Sequence, residues 1–77
     1  TLKFIIDKNK FVKNVYKSLK KDGYIISINY VDFLEKKDFE EEIEKIKELL
    51  ESYKIKTIII KSDKYLYTKY ILIGKKL

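Results

Sequence analysis

A strict two-residue alternation in the middle of the chain is the feature that most restricts its fold. Every second position after Gly23 is apolar, namely Tyr24, Ile26, Ile28 and Tyr30. The positions between them are mixed, namely Ile25, Ser27 and Asn29. Successive side chains of a β-strand point to opposite faces, so the pattern predicts a half-covered strand over residues 24–30. We expect helices to cover the apolar face, which leaves the mixed face on the opposite side.

Two segments with helical spacing flank this strand. The first has apolar residues at Phe11, Val12, Val15, Tyr16 and Leu19, and the second at Phe39, Ile43, Ile46, Leu50 and Tyr53. Steps of three and four residues form one stripe on a helix, so we predict helices over residues 9–21 and 38–53. Asp7 or Asn9 would cap the first helix, and Asp38 with Glu41 would form a capping box on the second. Gly23, just past the first helix, is expected to adopt a positive φ.

Three further segments complete the predicted sheet. Residues 2–6 and 55–61 are short apolar runs, and residues 65–73 follow a turn at 62–64, which predicts an antiparallel hairpin. The order is β-α-β-α-β-β, and each β-α-β step should cross over with a right hand. We therefore predict the α/β class, with a four-stranded mixed sheet in the order 1-2-4-3 and two helices on one face. Residues 1–77 form a single domain, either complete or half of a larger one.

The composition excludes several kinds of chemistry. The 77 residues contain no cysteine and no histidine, which excludes disulfides, zinc sites of the usual type and histidine-based catalysis. We expect no catalytic, cofactor-binding or metal-binding residue in this chain. No long apolar run is present, so we expect no membrane partner and a cytoplasmic location. Because so short a chain buries a small core, we expect a protein partner, with Leu2, Phe4 and Ile6 as the pairing edge.

The net charge of +6 comes from lysine alone. Lysine attracts polyanions but reads base sequence poorly, and exposed tyrosine rings can stack on unpaired bases. The candidate RNA-binding residues are Lys10, Lys13, Lys17, Tyr67 and Lys69. Each has a plainer interpretation, because helix lysines often form a solvated face and tyrosine is an ordinary strand residue. Residues 38–52 hold seven acids and two lysines, so RNA would have to approach the side away from them.

The chain also resembles a known family. Leu19-Lys20-Lys21-Asp22-Gly23 is similar to the turn after a helix in class I S-adenosylmethionine-dependent methyltransferases, and residues 70–76 are similar to the end of that domain. The spacing between Gly23 and the end of the next helix resembles that of fibrillarin-like RNA methyltransferases. The resemblance implies the C-terminal half of that fold, with residues 2–6 as its fourth strand. It places Asp7 where the family has a substrate-facing polar residue, although we favour a helix cap as the role of Asp7.

This resemblance implies a cofactor that the chain alone does not hold. The sequence has no Gly-x-Gly loop, so S-adenosylmethionine would bind only if the missing half were present. The expectation is a non-catalytic part of an RNA methyltransferase-like domain that needs a partner or the missing N-terminal half.

A second resemblance gives an alternative. Residues 15–19 followed by residues 23–26 are similar to the start of the C-terminal domain of archaeal tRNA-splicing endonuclease subunits. The catalytic histidine of that family has no counterpart, so the resemblance implies a structural subunit of an RNA-processing complex. A third interpretation needs no relative, because small basic domains with this element order include open-faced RNA binders. Both alternatives predict a small basic RNA-binding or structural subunit.

Overall fold

A computed structural model describes residues 7–77 of the chain. Its elements are α1 (Lys8–Ser18), β1 (Tyr24–Asp32), α2 (Lys36–Ser52), β2 (Ile55–Asp63) and β3 (Tyr67–Lys76). The strand predicted at residues 2–6, and with it the pairing edge Leu2, Phe4 and Ile6, lies outside the described residues.

The predicted four-stranded mixed sheet in the order 1-2-4-3 is wrong. The described residues form a three-stranded sheet in the order β1-β3-β2, and both pairings are antiparallel. The crossover through α2 makes β1 and β2 run in the same direction but leaves a gap between them. β3 fills that gap, so β1 and β2 pair with β3 and not with each other. In both arrangements the last strand of the chain lies between the two strands that precede it in sequence.

Helix α1 begins where a cap was expected. Asp7 has an extended backbone, and its side chain accepts a hydrogen bond from the Lys10 backbone N–H at 2.9 Å, which confirms the prediction of a cap. The helix ends at Ser18, three residues earlier than predicted. There the Lys76 ammonium donates to the Tyr16 and Leu19 carbonyls at 2.9 and 2.8 Å. This lysine satisfies helix-end carbonyls that would otherwise lack partners and so joins α1 to the end of β3.

The predicted positive φ of Gly23 is wrong. Among the described residues, no glycine has a positive φ, and the turn before β1 places Asp22 at 64° instead. Gly23 is needed for a different reason, because a Cβ built there would lie 2.8 Å from the Lys20 carbonyl oxygen. The Gly23 N–H donates to that same carbonyl. Any side chain would therefore push the two backbone segments apart.

The start of α2 also differs from the prediction. The helix begins at Lys36, and the side chain of Glu35, at the N-cap position, makes no capping hydrogen bond. The predicted capping box of Asp38 and Glu41 is therefore wrong, because both residues lie inside the helix. The turn is instead organised by Asp32, whose carboxylate accepts from the Leu34 and Glu35 N–H groups at 3.0 Å each. An aspartate that binds the backbone two and three residues ahead stabilises a turn locally.

One apolar core joins both helices to the same face of the sheet. The helices contribute Val12, Val15, Phe39, Ile43, Ile46 and Leu50, and the strands contribute Val31, Ile55, Tyr70 and Leu72. Helix α2 lies over the strands, whereas α1 packs chiefly beside α2. Gly74 lies where a side chain would be crowded, because a Cβ there would lie within 3.0 Å of the side chains of both Ile55 and Ile25.

A polar network closes one edge of this core. The buried Tyr70 donates its hydroxyl to Glu40 at 2.9 Å, and Lys61 forms an ion pair with the same carboxylate at 2.9 Å. The hydrogen bond from Lys61, aided by Tyr70, lowers the pKa of Glu40 below its usual 4.5. Burial, followed by the hydrogen bond to Glu40, raises the pKa of Tyr70. Asp63 is similar, because hydrogen bonds from Lys36 and Thr68 lower its pKa below 3.8.

This network predicts loss of stability in acid. The folded-state pKa values of Glu40 and Asp63 lie below the unfolded ones, so both groups stabilise the fold above about pH 4.5 and lose that contribution as the pH falls through the lower folded values. We expect the thermal midpoint to be flat from pH 7 to 5 and to fall below pH 4.5. In Glu40→Gln the fall should be shallower, and parallel curves for the two proteins would contradict the assignment.

Candidate functional site

In the part of the chain that the structure describes, nothing covers the face of the sheet opposite the helices, and the centre of this face is apolar. Its residues are fixed by the strand register, which aligns neighbours across β1, β3 and β2. Two adjacent rows consist only of isoleucine, namely Ile26, Ile73 and Ile58, then Ile28, Ile71 and Ile60. We call these six side chains the isoleucine grid. They are the central feature of the candidate site.

The isoleucine grid is open to solvent. Its edge-strand members Ile26, Ile28, Ile58 and Ile60 are exposed to 63%, 48%, 49% and 46%. The two on the central strand, Ile71 and Ile73, are partly buried by their neighbours. Folded chains rarely leave a contiguous group of large aliphatic side chains in water, and such patches mark interaction surfaces.

A row containing lysine borders the grid at each end. On one side the row is Tyr24, Lys75 and Lys56, and on the other it is Tyr30, Lys69 and Ser62. Lys75 and Lys56 are direct cross-strand partners, an arrangement that like charges disfavour. Within residues 7–77, none of the three lysines forms an ion pair with a carboxylate. The face thus has an apolar centre with two unneutralised lysines at one end and one at the other.

Tyrosine rings lie beside these lysines. The Lys75 ammonium is 5.7 Å from the centre of the Tyr24 ring, and that of Lys69 is 6.0 Å from the centre of the Tyr30 ring. Tyr30 also packs edge-on against Tyr67, with ring centres 5.5 Å apart. Aromatic and cationic groups therefore lie side by side at both ends of the face.

The expectation about which face is covered was wrong. The helices pack on the mixed face of β1, where Asn29 is buried and Ser27 is half-buried, and the apolar Tyr24–Tyr30 face is open. Two small polar residues on the covered face have partners only two residues away along the chain. Asn29 donates to Ser27 at 3.1 Å, and Thr57 donates to the Ile55 carbonyl at 3.0 Å.

A signal in the sequence could have identified the open face. On β3 the alternate set that includes Ile71 and Ile73 also includes Lys69 and Lys75, while the other set includes Thr68, Tyr70, Leu72 and Gly74. A central strand cannot place two lysines beneath a packed helix without ion partners. The lysines therefore lie on the solvent side of β3, and the pairing register places the residues aligned with them on β1 and β2 on the same side.

Two loops extend the apolar surface at one end of the sheet. Phe33 and Leu34, after β1, and Tyr65 and Leu66, before β3, are 72% to 97% exposed and line a shallow groove with Asp32. Val31, near the end of β1, is by contrast fully buried.

The structure separates the residues predicted to bind RNA. Lys10, Lys13 and Lys17 lie exposed on α1, in the helical layer, whereas Tyr67 and Lys69 lie on the open face of the sheet. The five residues therefore form two surfaces on different sides of the sheet. Tyr70 is buried and hydrogen-bonded, so its ring is not accessible to a base.

Other kinds of site find little support in the described part of the chain. No group of three or more acidic residues in residues 7–77 is arranged to hold a metal ion. None of the helices described is long and apolar enough to cross a membrane.

Comparisons with protein-family models, with curated proteins and with solved structures found no match.

The exposure of the isoleucine grid predicts unequal effects of one substitution at two positions of β2. Ile55→Ala should lower the free energy of unfolding by about 2–4 kcal/mol, because Ile55 is fully buried in the core. Ile60→Ala, on the same strand and the open face, should lower it by less than about 1 kcal/mol. Urea unfolding followed by circular dichroism measures both. Equal losses would mean that the grid is covered in the isolated chain.

Proposed function

We propose that this chain is a non-catalytic protein-binding module that buries the isoleucine grid against a partner protein. The observation that carries the proposal is the grid itself, six aliphatic side chains that face solvent on all three described strands. Burying them against a partner stabilises the complex by roughly 25 cal/mol for each Å² of apolar area removed from water. Summed over six side chains, this gain is larger than that of any single polar contact on the face.

The charges on the face specify the chemistry of the partner. Lys56, Lys69 and Lys75 have no ion partner in the described part of the chain, and they lie at both ends of the grid. A partner surface that is apolar at its centre and carries carboxylates at both ends would complement them. Such a partner would also relieve the repulsion between Lys56 and Lys75.

A second copy of the chain is a poorer match. β3 is the central strand, so an aligned face-to-face pair with twofold symmetry places β3 over β3. Lys69 and Lys75 would then meet lysines of the other copy. Among the described strand residues, the one carboxylate on this face is that of Asp32, which already binds the backbone of its own turn.

Single-stranded RNA is the competing occupant. Tyr30, Tyr67 and Lys69 provide rings and positive charge at one end of the face, and bases stack on such rings. The six isoleucines count against RNA, because branched aliphatic side chains offer no flat ring to stack on and phosphates cannot be desolvated over them. We therefore favour a protein partner.

The resemblance to methyltransferases gives the proposal one concrete form. In that form the covering surface belongs to the cofactor-binding half of an S-adenosylmethionine-dependent domain, and this chain supplies the non-catalytic remainder. In this form of the proposal, no residue of this chain is catalytic. We expect S-adenosylmethionine to bind the assembled pair and not this chain by itself.

Site-directed cross-linking tests the proposal. A photoreactive benzoylphenylalanine at Ile28 should form adducts with another protein in the native host, while the same group at the exposed Glu44 of α2 should not. Binding of the purified partner should then weaken at least tenfold in Ile28→Asp, about 1.4 kcal/mol, and not in Glu44→Ala. Adducts from Ile28 that contain RNA, or only a second copy of the chain, would contradict the proposal.

A further inference from the structure

We infer that the partner segment that covers the isoleucine grid is a single amphipathic helix whose apolar stripe is flanked by carboxylates about four turns apart. This inference rests on the proposed function and specifies the partner within it. Three observations carry it: the width of the face, the spacing of the lysine rows and the way the same sheet already binds α2.

The width of the face suits one helix. Three strands at about 4.8 Å spacing place the outer two about 10 Å apart, which is close to the diameter of one helix with its side chains. Two helices side by side need a further 8–10 Å between their axes. On the covered face of the sheet, α2 makes the main helix contacts with the strands, and α1 packs chiefly against α2.

The lysine rows set the length of the partner's apolar stripe. Lys69 and Lys75 are six residues apart on β3, which corresponds to about 20 Å along an extended strand. A helix that runs along the strands covers about 20 Å in 13 or 14 residues. Carboxylates at that separation would each reach a lysine row, and the turns between them would contact the two isoleucine rows.

Helix α2 shows how this sheet combines an apolar stripe with charge pairing. Its buried residues are Phe39, Ile43, Ile46 and Leu50, which form one stripe over the covered face. At the end of that stripe, Glu40 pairs with Lys61 of β2 at 2.9 Å. The open face presents similar elements, an aliphatic centre with strand lysines at its ends, and no helix within residues 7–77 lies over it. A partner helix of this composition would therefore repeat, on the second face, contacts the sheet already makes on the first.

Helical probe peptides test the inference. The first is an 18-residue peptide with a leucine stripe at helical spacing and glutamates 14 residues apart. The second replaces those glutamates with lysine, and the third has the composition of the first with leucines at every second position. Chemical shifts of the isoleucine δ1 methyl groups report where each binds, with Ile43 and Ile46 in the core as internal references.

The expected result is selective binding of the glutamate-flanked helix. It should shift the methyl signals of the grid but not those of Ile43 and Ile46, and it should bind at least tenfold more tightly than the lysine-flanked peptide at 50 mM salt. The difference should shrink at 500 mM salt because the charges are exposed. In the double variant Lys69→Glu, Lys75→Glu the preference should reverse, while Lys13→Glu with Lys17→Glu on α1 should leave it unchanged.

Failure of the inference can be told from failure of the proposed function. The inference is overturned if the alternating peptide binds best, if the two helical peptides bind equally, or if no peptide shifts the grid up to 1 mM. In those cases the proposed function still stands if the cross-linked natural partner shifts the grid methyls. If the natural partner leaves the grid unperturbed, or if only RNA or anionic vesicles shift it, both fail.

Discussion

The structure depends on the pairing of β3 with both of its neighbours. As the central strand, β3 fixes the register of β1 and β2, and its alternation decides which side chains of all three strands share a face. Tyr70 and Leu72 lie under the helices, so Lys69, Ile71 and Ile73 must face away from them. A slip of one residue would put lysines in the core, which is the reason the arrangement is well specified.

The covered face tolerates polar residues because each finds a nearby partner. Thr68 donates to Asp63, Asn29 donates to Ser27, and the Tyr70 hydroxyl donates to Glu40. Paired in this way, a buried polar group avoids most of the cost of leaving water. The helices and the larger strand residues supply the apolar contacts, so the sheet does not need its most apolar face for the core. That face remains available for binding.

Local patterns in the sequence predicted the local structure well. The stripe from Phe39 to Leu50 predicted α2 to within two residues at its start, Asp7 was one of two residues predicted to cap α1, and the final hairpin was expected to be antiparallel. These features depend on neighbours within a few residues along the chain. The turn before β1 was less predictable, because Asp22 takes the left-handed conformation that glycine usually adopts.

The choice of face could not be read from β1 by itself. Its apolar set, including Ile26 and Ile28, is more hydrophobic than its buried set, so hydrophobicity gave the wrong answer. The open face is identified on β3, where lysines share a side with isoleucines. It is identified on β1 only through the pairing of strands that are distant in sequence. Two predicted binding residues, Tyr67 and Lys69, lie on this face. The isoleucine grid itself was missed for the same reason, since it exists only when three strands are aligned.

The most direct test of this account is the solvent accessibility of individual isoleucine methyl groups in the isolated chain. A neutral gadolinium chelate in solution broadens methyl signals in proportion to their exposure. We expect strong broadening for Ile26, Ile28, Ile58 and Ile60 and little for Ile43, Ile46 and Ile55. Protection of the first group, to the level of the second, would show that the helices or another surface cover the isoleucine grid and would contradict the account.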